Sequence, residues 1–238
     1  MRPHSAGESR PSLAGRARRA LGVQLEAWYW RWWMFRSSTR HTEIYRRAME
    51  RERPLDPFHR QFVDELSSPR VRILEVGSGP LSAIGTVLPG KTLEVVATDL
   101  LADTYARLLA HLKIQPAIRT VRADAERLTE QFAEGSFDYV TANNCIDHCA
   151  RADRAIEQML RVARPGGWVS LRHAENEASR TRYFGLHEWN FALEHGEPVL
   201  WNRRERIPVR ELVAPWGELK VLSEPGHVVF AVRRHGTA

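Results

Sequence analysis

The hydrophobic positions change their period about a third of the way along the chain. From about Arg18, Leu21, Leu25, Trp28, Trp32 and Phe35 recur at steps of four, three, four and three, the spacing of one face of a helix. A second helix is predicted over His41–Glu52, ending before Pro54, and a third over Asp56–Leu66. From Val71 the apolar runs shorten. Val71–Val76 closes on Gly77-Ser78-Gly79-Pro80, the pattern of a buried strand entering a tight turn. Leu93–Thr98, Ile118–Ala123, Phe137–Ala142 and Gly167–Leu171 predict four further strands, with helices over Leu101–Leu112 and Ala152–Val162. Strands alternating with helices imply a parallel sheet covered on both faces. Glu218–Leu222 and Val228–Val232 are joined by only Ser223–His227, which makes them an antiparallel hairpin. The expected fold class is therefore α/β, a Rossmann-like seven-stranded sheet of parallel strands plus a C-terminal antiparallel hairpin, flanked by helices.

This pattern divides the chain. Residues 1–17, rich in Ser, Gly, Pro and Arg, read as a disordered tail. Residues 18–68 read as N-terminal helices that pack on the domain or roof it as a lid, and 69–238 as the α/β domain. Within it, residues 174–207 fit neither the helix nor the strand pattern. They read as an insertion over the carboxyl ends of the strands, where ligands bind in such folds.

The chemistry is densest at those strand ends. Gly77 and Gly79 let the backbone turn sharply and approach a ligand without an intervening Cβ. Asp99 ends the second strand and has a carboxylate able to accept both hydroxyls of a ribose. Asp124-Ala125-Glu126 follows the third strand, within reach of an adenine edge. The dinucleotide fingerprint would place a glycine where Ser82 stands, and it does not include a carboxylate such as Glu75 before its first glycine.

Residues 71–173 resemble class I S-adenosylmethionine-dependent methyltransferases of the small-molecule, type 11 kind. The resemblance rests on Ile73–Pro80, Asp99, Ala123–Glu126, Ser136–Val140, His148 and Arg161–Gly167 in that order, and on the terminal hairpin. It implies S-adenosylmethionine as cofactor, and the Ile73–Pro80 loop, including Ser78 and Pro80, as its cradle. Glu75 would hold the amino end, Gly77 and Gly79 the methionine moiety, and Asp99 the ribose. Leu100, Asp124 and Ala125 would meet the adenine, and Ala142 and Asn143 would border the methionine end. One departure is Leu81, where the family often has a third glycine.

Methyl transfer asks the protein to align an acceptor and to free its lone pair. Candidates follow the fourth strand, in Asp147 and His148, and the fifth, in His173, Glu177, Tyr183, His187, Trp189 and Asn190. One reading makes a histidine, oriented by a carboxylate, the general base. Another has Asp147, His173, Glu177 and His187 hold a divalent metal. In a third, His148 packs against the cofactor and the insertion hydrogen-bonds a polar substrate through Glu177, Tyr183, Trp189 and Asn190. Trp28 and Trp32 on the first helix are further candidates for stacking on substrate. The polar insertion favours a sugar or glycosylated metabolite methylated on O or N.

Charge refines this picture. The formal net charge is +6, but residues 1–60 carry 13 arginines against 6 acidic residues, so the rest of the chain is close to neutral. Only Lys91, Lys113 and Lys220 are lysines, an arginine bias that weakens any inference to nucleic acid. RNA or protein methylation guided by the basic N-terminus, and a non-catalytic cofactor-binding scaffold, remain the alternatives to a small-molecule substrate. Surplus tryptophans on the first helix leave room for a homodimer contact. Two cysteines four residues apart, no transmembrane run and no secretory leader give the expectation of a reduced, cytoplasmic protein.

Overall fold

The structure, a computed structural model, describes residues 13–35 and 39–236. Three helices come first: α1 (Leu13–Phe35), α2 (Thr39–Met49) and α3 (Pro57–Asp64). Helix α3 starts where its sequence dictates, with Pro57 in the first turn and the Asp56 carboxylate accepting the amide of Phe58. Then follow β1 (Arg70–Val76), β2 (Thr92–Asp99), α4 (Ala102–His111), β3 (Thr120–Arg122), β4 (Phe137–Asn143), α5 (Ala152–Val162) and β5 (Ala163–Ala174). The chain closes with α6 (Glu177–Arg180), β6 (Asn190–Glu194), β7 (Glu197–Trp201), β8 (Arg206–Pro208), α7 (Val209–Val213), β9 (Gly217–Glu224) and β10 (His227–Arg234).

The seven-stranded sheet has the order β3-β2-β1-β4-β5-β10-β9. Its first five strands are parallel, and β10 pairs antiparallel with β5 and β9. The order reverses between β1 and β4, so their carboxyl ends diverge and open a crevice. Alternate residues serve the two faces. Leu74, Val76, Val140, Ala142, Val169 and Phe230 join one core with α5 and α7. Ile73, Tyr139, Trp168 and Ala231 join the other with Phe62 and Val63 of α3.

Two features depart from the expected alternation. No helix follows β1: residues 77–91 form an irregular loop, pinned by backbone bonds from Leu55 to Val87 and Asp56 to Ile84. The segment read as an unpatterned insertion holds a three-stranded antiparallel sheet, β6-β7-β8. Its Trp189, Phe191 and Leu200 are buried in the same core as α5. Its strands are short, and β6 and β7 each bury three consecutive positions, so no alternation marks them.

Helix α1 begins at Leu13, five residues before the expected start, and residues 1–12 of the expected tail lie outside the described residues. Its outward face is also the reverse of the expected one. Leu21, Trp28, Trp32 and Phe35 are exposed, Trp28 by 64%. Gly22 and Met34 are buried, and Trp30 and Trp33 are half-buried. The helix thus lays its narrower stripe on the domain, where Met34 and Trp33 pack with Leu108 and Leu109 of α4. Among the described residues, no helix is long and apolar enough to cross a membrane.

Candidate active site

A cavity of about 420 Å³ lies at the carboxyl ends of β1 to β4, within the usual size of small-molecule sites. Its floor is the Gly77–Gly79 turn. Both glycines have positive φ, at 66° and 64°. A Cβ on Gly77 would stand 2.3 Å from Sγ of Cys145, which follows β4, so this glycine also lets the two diverging strand ends meet. The turn is fixed from below: Thr120 Oγ1 donates to the Gly79 carbonyl at 2.9 Å, and the Ser78 amide donates to the Thr98 carbonyl at 2.9 Å.

Acidic side chains line this space. Asp99 accepts the amides of Gly79 at 3.1 Å and Leu101 at 2.8 Å. Its pKa is raised by burial, which outweighs those two donors. Burial likewise pushes Glu75 up to about 7, against hydrogen bonds from Ser82 and the Ala83 backbone. Glu75 Oε2 is buried and makes no hydrogen bond to any described residue. Asp124, whose side chain caps the following turn through the Glu126 amide, is a third carboxylate at the wall. Helix α1 brings a fourth, Glu26. No arginine or lysine lines the cavity among the described residues.

This donor set sorts the candidate nucleotides. A pyrophosphate would need a helix N-terminus after the glycine turn, and that helix is missing. Four carboxylates around one cavity would repel an anion. They suit a ligand with hydroxyls and positive charge, and the orphaned Glu75 oxygen provides an acceptor for an ammonium group. S-adenosylmethionine, with its ribose, ammonium and sulfonium, fits these residues.

Comparison with known proteins agrees. Residues 74–171 match Methyltransf_11, a methyltransferase domain. This match covers less than half of the chain and gives it a methyltransferase domain similar to that of the type 11, class I S-adenosylmethionine-dependent enzymes. It is 35% identical over 142 residues to a ubiquinone/menaquinone biosynthesis C-methyltransferase, UbiE, of Pseudomonas putida, covering 56% of this chain and 54% of that protein. It is 32% identical over 110 residues to a malonyl-[acyl-carrier protein] O-methyltransferase of Methylococcus capsulatus, covering 46% and 39%. The chain thus spans about half, or less, of the length of these curated relatives. The CMeT domain of the citrinin polyketide synthase shares the fold, with a TM-score of 0.54 at 18% identity over 76% of this chain and 51% of that one.

Of the residues the resemblance would assign to the cofactor, Glu75, Gly77, Ser78, Gly79, Asp99, Leu100, Asp124, Ala125 and Asn143 all line the cavity. Pro80 and Ala142 do not: both are buried, and Ala142 belongs to the core on the α5 face. Sequence reasoning expected helices that pack on the domain or roof it, but singled out Trp28 and Trp32 there and none of the side chains that line the cavity. Val23, Glu26 and Trp30 of α1 and Leu186 of the insertion close over the turn, and Gly22 lies so near Leu186 that a Cβ there would be 2.6 Å from it. Glu26 is the lone acid of α1, and this was the available signal.

Beside the cavity stands a compact polar group. Asp147 is 1% exposed, and its Oδ2 lies 2.6 Å from Nδ1 of His187 and 3.6 Å from Nε2 of His148. The two imidazoles are 3.2 Å apart, and His148 lines the cavity. Burial works against the charge of Asp147, but the His187 hydrogen bond and the surrounding imidazoles outweigh it and hold its pKa below the ordinary value. Burial also opposes protonation of His187, and the Asp147 contact overcomes it, so the His187 pKa is raised. The donor atoms of Asp147, His148 and His187 lie within 4.8 Å of one another; His173 and Glu177, expected in a metal set, are not in this group.

The remaining expected site residues have other work. His173 is fully buried, stacked on Phe191 with ring centroids 3.8 Å apart, and burial lowers its pKa to about 4. Trp189 and Asn190 are core residues. Asn190 donates to the Tyr183 hydroxyl at 3.0 Å and accepts the Ser179 amide at 2.8 Å, tying the insertion together. Tyr183 carries the Arg203 guanidinium on its ring, 4.3 Å from the centroid. Neither Glu177 nor Tyr183 lines the cavity, and Trp28 and Trp32 face away from it. Part of the composition that suggested a sugar site thus serves the insertion itself, where Asn190, Tyr183 and Ser179 bond one another.

Proposed function

We propose that this protein transfers a methyl group from S-adenosylmethionine to a hydroxyl of a small polar molecule, with His148 as the base at the cavity wall. The observation that carries this reading is the Asp147–His187–His148 group beside an acid-lined cavity. Glu75, Asp99, Asp124 and the Gly77–Gly79 turn would hold the cofactor, which would supply an electrophilic methyl group on sulfur. The chain's own task is then to orient the acceptor and take its proton. His148 receives that proton, while Asp147 stays ionised nearby and favours the resulting imidazolium. His187 holds Asp147 in place through Nδ1–H, so His187 and Asp147 act as positioning residues. The 2.6 Å contact is that of a charge-assisted hydrogen bond, which favours this reading of the group over a metal set.

A second reading replaces the hydroxyl by an acidic carbon. It is favoured by the name of the UbiE relative, a C-methyltransferase, and it needs the same base. Methylation of RNA or protein is disfavoured, because α1 and Leu186 roof the cavity and no basic side chain lines it among the described residues. The test is incubation of the full chain with methyl-labelled cofactor and a panel of hydroxylated metabolites, phenols, β-dicarbonyl compounds, RNA and protein. Label on oxygen supports the first reading, and label on carbon the second. Label confined to macromolecules overturns both. Cofactor binding without transfer to any of these would make the protein a scaffold.

A further inference from the structure

Helix α1 does more than cover the cavity, because it carries a charge into it. Val23, Glu26 and Trp30 form the stripe that meets the cofactor cavity. The indole Nε1–H of Trp30 donates to Glu26 Oε1 at 2.9 Å, which fixes the carboxylate one turn away. Trp30 in turn sits over the glycine turn, so close that a Cβ on Gly79 would stand 3.3 Å from it. Its ring meets Tyr105 of α4 edge-on, with centroids 6.0 Å apart. The field of Glu26 reaches Asp99 and Tyr105 on one side and His187 on the other. Glu26 therefore lines the same cavity as Asp99, the ribose-side carboxylate, and His148 at the reacting end.

The roof is held on mainly by side-chain packing. Gly22 abuts Leu186, Trp30 abuts Tyr105, Phe35 meets His111, and Met34 and Trp33 pack on α4. The outward face of α1 is exposed. Closing α1 brings Glu26 to a space that already holds Glu75, Asp99 and Asp124. Like charges at such range repel, and little solvent intervenes to screen them. A bound cation reverses the sign of that interaction.

We infer that Glu26 is a charge-reading residue on a lid: α1 closes on the sulfonium form of the cofactor and is loosened once the cofactor is neutral. The inference rests on the methyltransferase reading above. When the methyl group moves to the acceptor and the acceptor's proton to His148, the sulfur is left as a neutral thioether with its lone pair restored. Once that proton passes from His148 to solvent, the cavity has lost one positive charge while its four carboxylates stay. The lid then favours release of S-adenosylhomocysteine over S-adenosylmethionine.

Calorimetric titration of the full chain with each cofactor form tests this. Glu26→Gln keeps an acceptor for the Trp30 indole and removes only the charge. It should weaken S-adenosylmethionine binding by about tenfold or more, as expected for loss of a nearby charge in a partly buried site. Binding of S-adenosylhomocysteine should change by less than about threefold. Glu26→Asp should keep the preference for the charged form, which guards against a variant that fails to fold. In the wild type, amides of α1 should exchange more slowly with S-adenosylmethionine bound than with S-adenosylhomocysteine bound. Equal loss of both ligands, or α1 exchange blind to which is bound, overturns the inference while leaving the methyltransferase reading intact. Failure of the wild type to bind either ligand overturns that reading and this inference with it.

Discussion

Nδ1 of His187 lies 2.6 Å from Oδ2 of Asp147, a carboxylate only 1% exposed. The buried acid fixes the imidazole, and His148 stands against both. Asp147 should therefore influence the chemistry without touching the cofactor. Asp147→Asn is expected to lower kcat by about 10²–10⁴-fold, the usual worth of general-base catalysis. Cofactor affinity should stay within about twofold. An unchanged kcat, or an equal loss of cofactor binding, would count against the base.

Glu75 predicts a pH dependence of binding. Burial raises its pKa to about 7 in the empty cavity. A cationic ligand favours the ionised carboxylate, so binding below this pKa must release a proton. Affinity for S-adenosylmethionine should rise by about tenfold between pH 6 and pH 8. Titrations in buffers of different ionisation enthalpy should detect proton release at pH 6 and little at pH 8. Glu75→Gln should flatten the profile. A profile that stays steep in this variant would assign the proton elsewhere.

His59 and His173 predict acid sensitivity of the fold. Burial lowers both pKa values to about 4, from an ordinary value near 6.5. The unfolded chain then binds more protons between these limits, so stability rises with pH across the window. It is fully present above about pH 6.5 and is lost as pH falls towards 4, on the order of a few kcal/mol per histidine. His173 makes no hydrogen bond through either ring nitrogen to a described residue and stacks on Phe191. His173→Phe should keep the packing and remove part of the acid loss, measured as the slope of Tm against pH. A slope equal to the wild type's would show that His173 protonates freely in the fold.

Gly77 predicts a coupled pair with Cys145. Gly77→Ala meets both a positive φ and the Cys145 side chain, and should destabilise by about 2–4 kcal/mol. Cys145→Gly removes the collision but not the backbone strain. The double variant should recover part, not all, of the lost stability in chemical unfolding. Strict additivity would mean that the two strand ends do not meet as described.

The local pattern of the chain determined a good deal. Runs such as Val71–Val76 and Phe137–Ala142 are continuous because both faces of a central strand are buried, so the parallel sheet is legible from them. Gly77, Gly79 and Asp99 are legible because a turn with positive φ and a strand-end carboxylate each demand a residue type. Tertiary structure alone decided which side chains reached the cavity. His173 and His148 look alike in sequence, yet one is stacked in the core and the other stands at the wall. Trp28 and Trp30 are two residues apart on one helix, and a rotation of about 200° between them turns one to solvent and the other over Gly79. Periodicity gives the relative angle of such residues but not the absolute rotation of the helix. That rotation is set by what packs beneath it, here Gly22 on Leu186 and Met34 on α4, contacts between segments far apart in the chain.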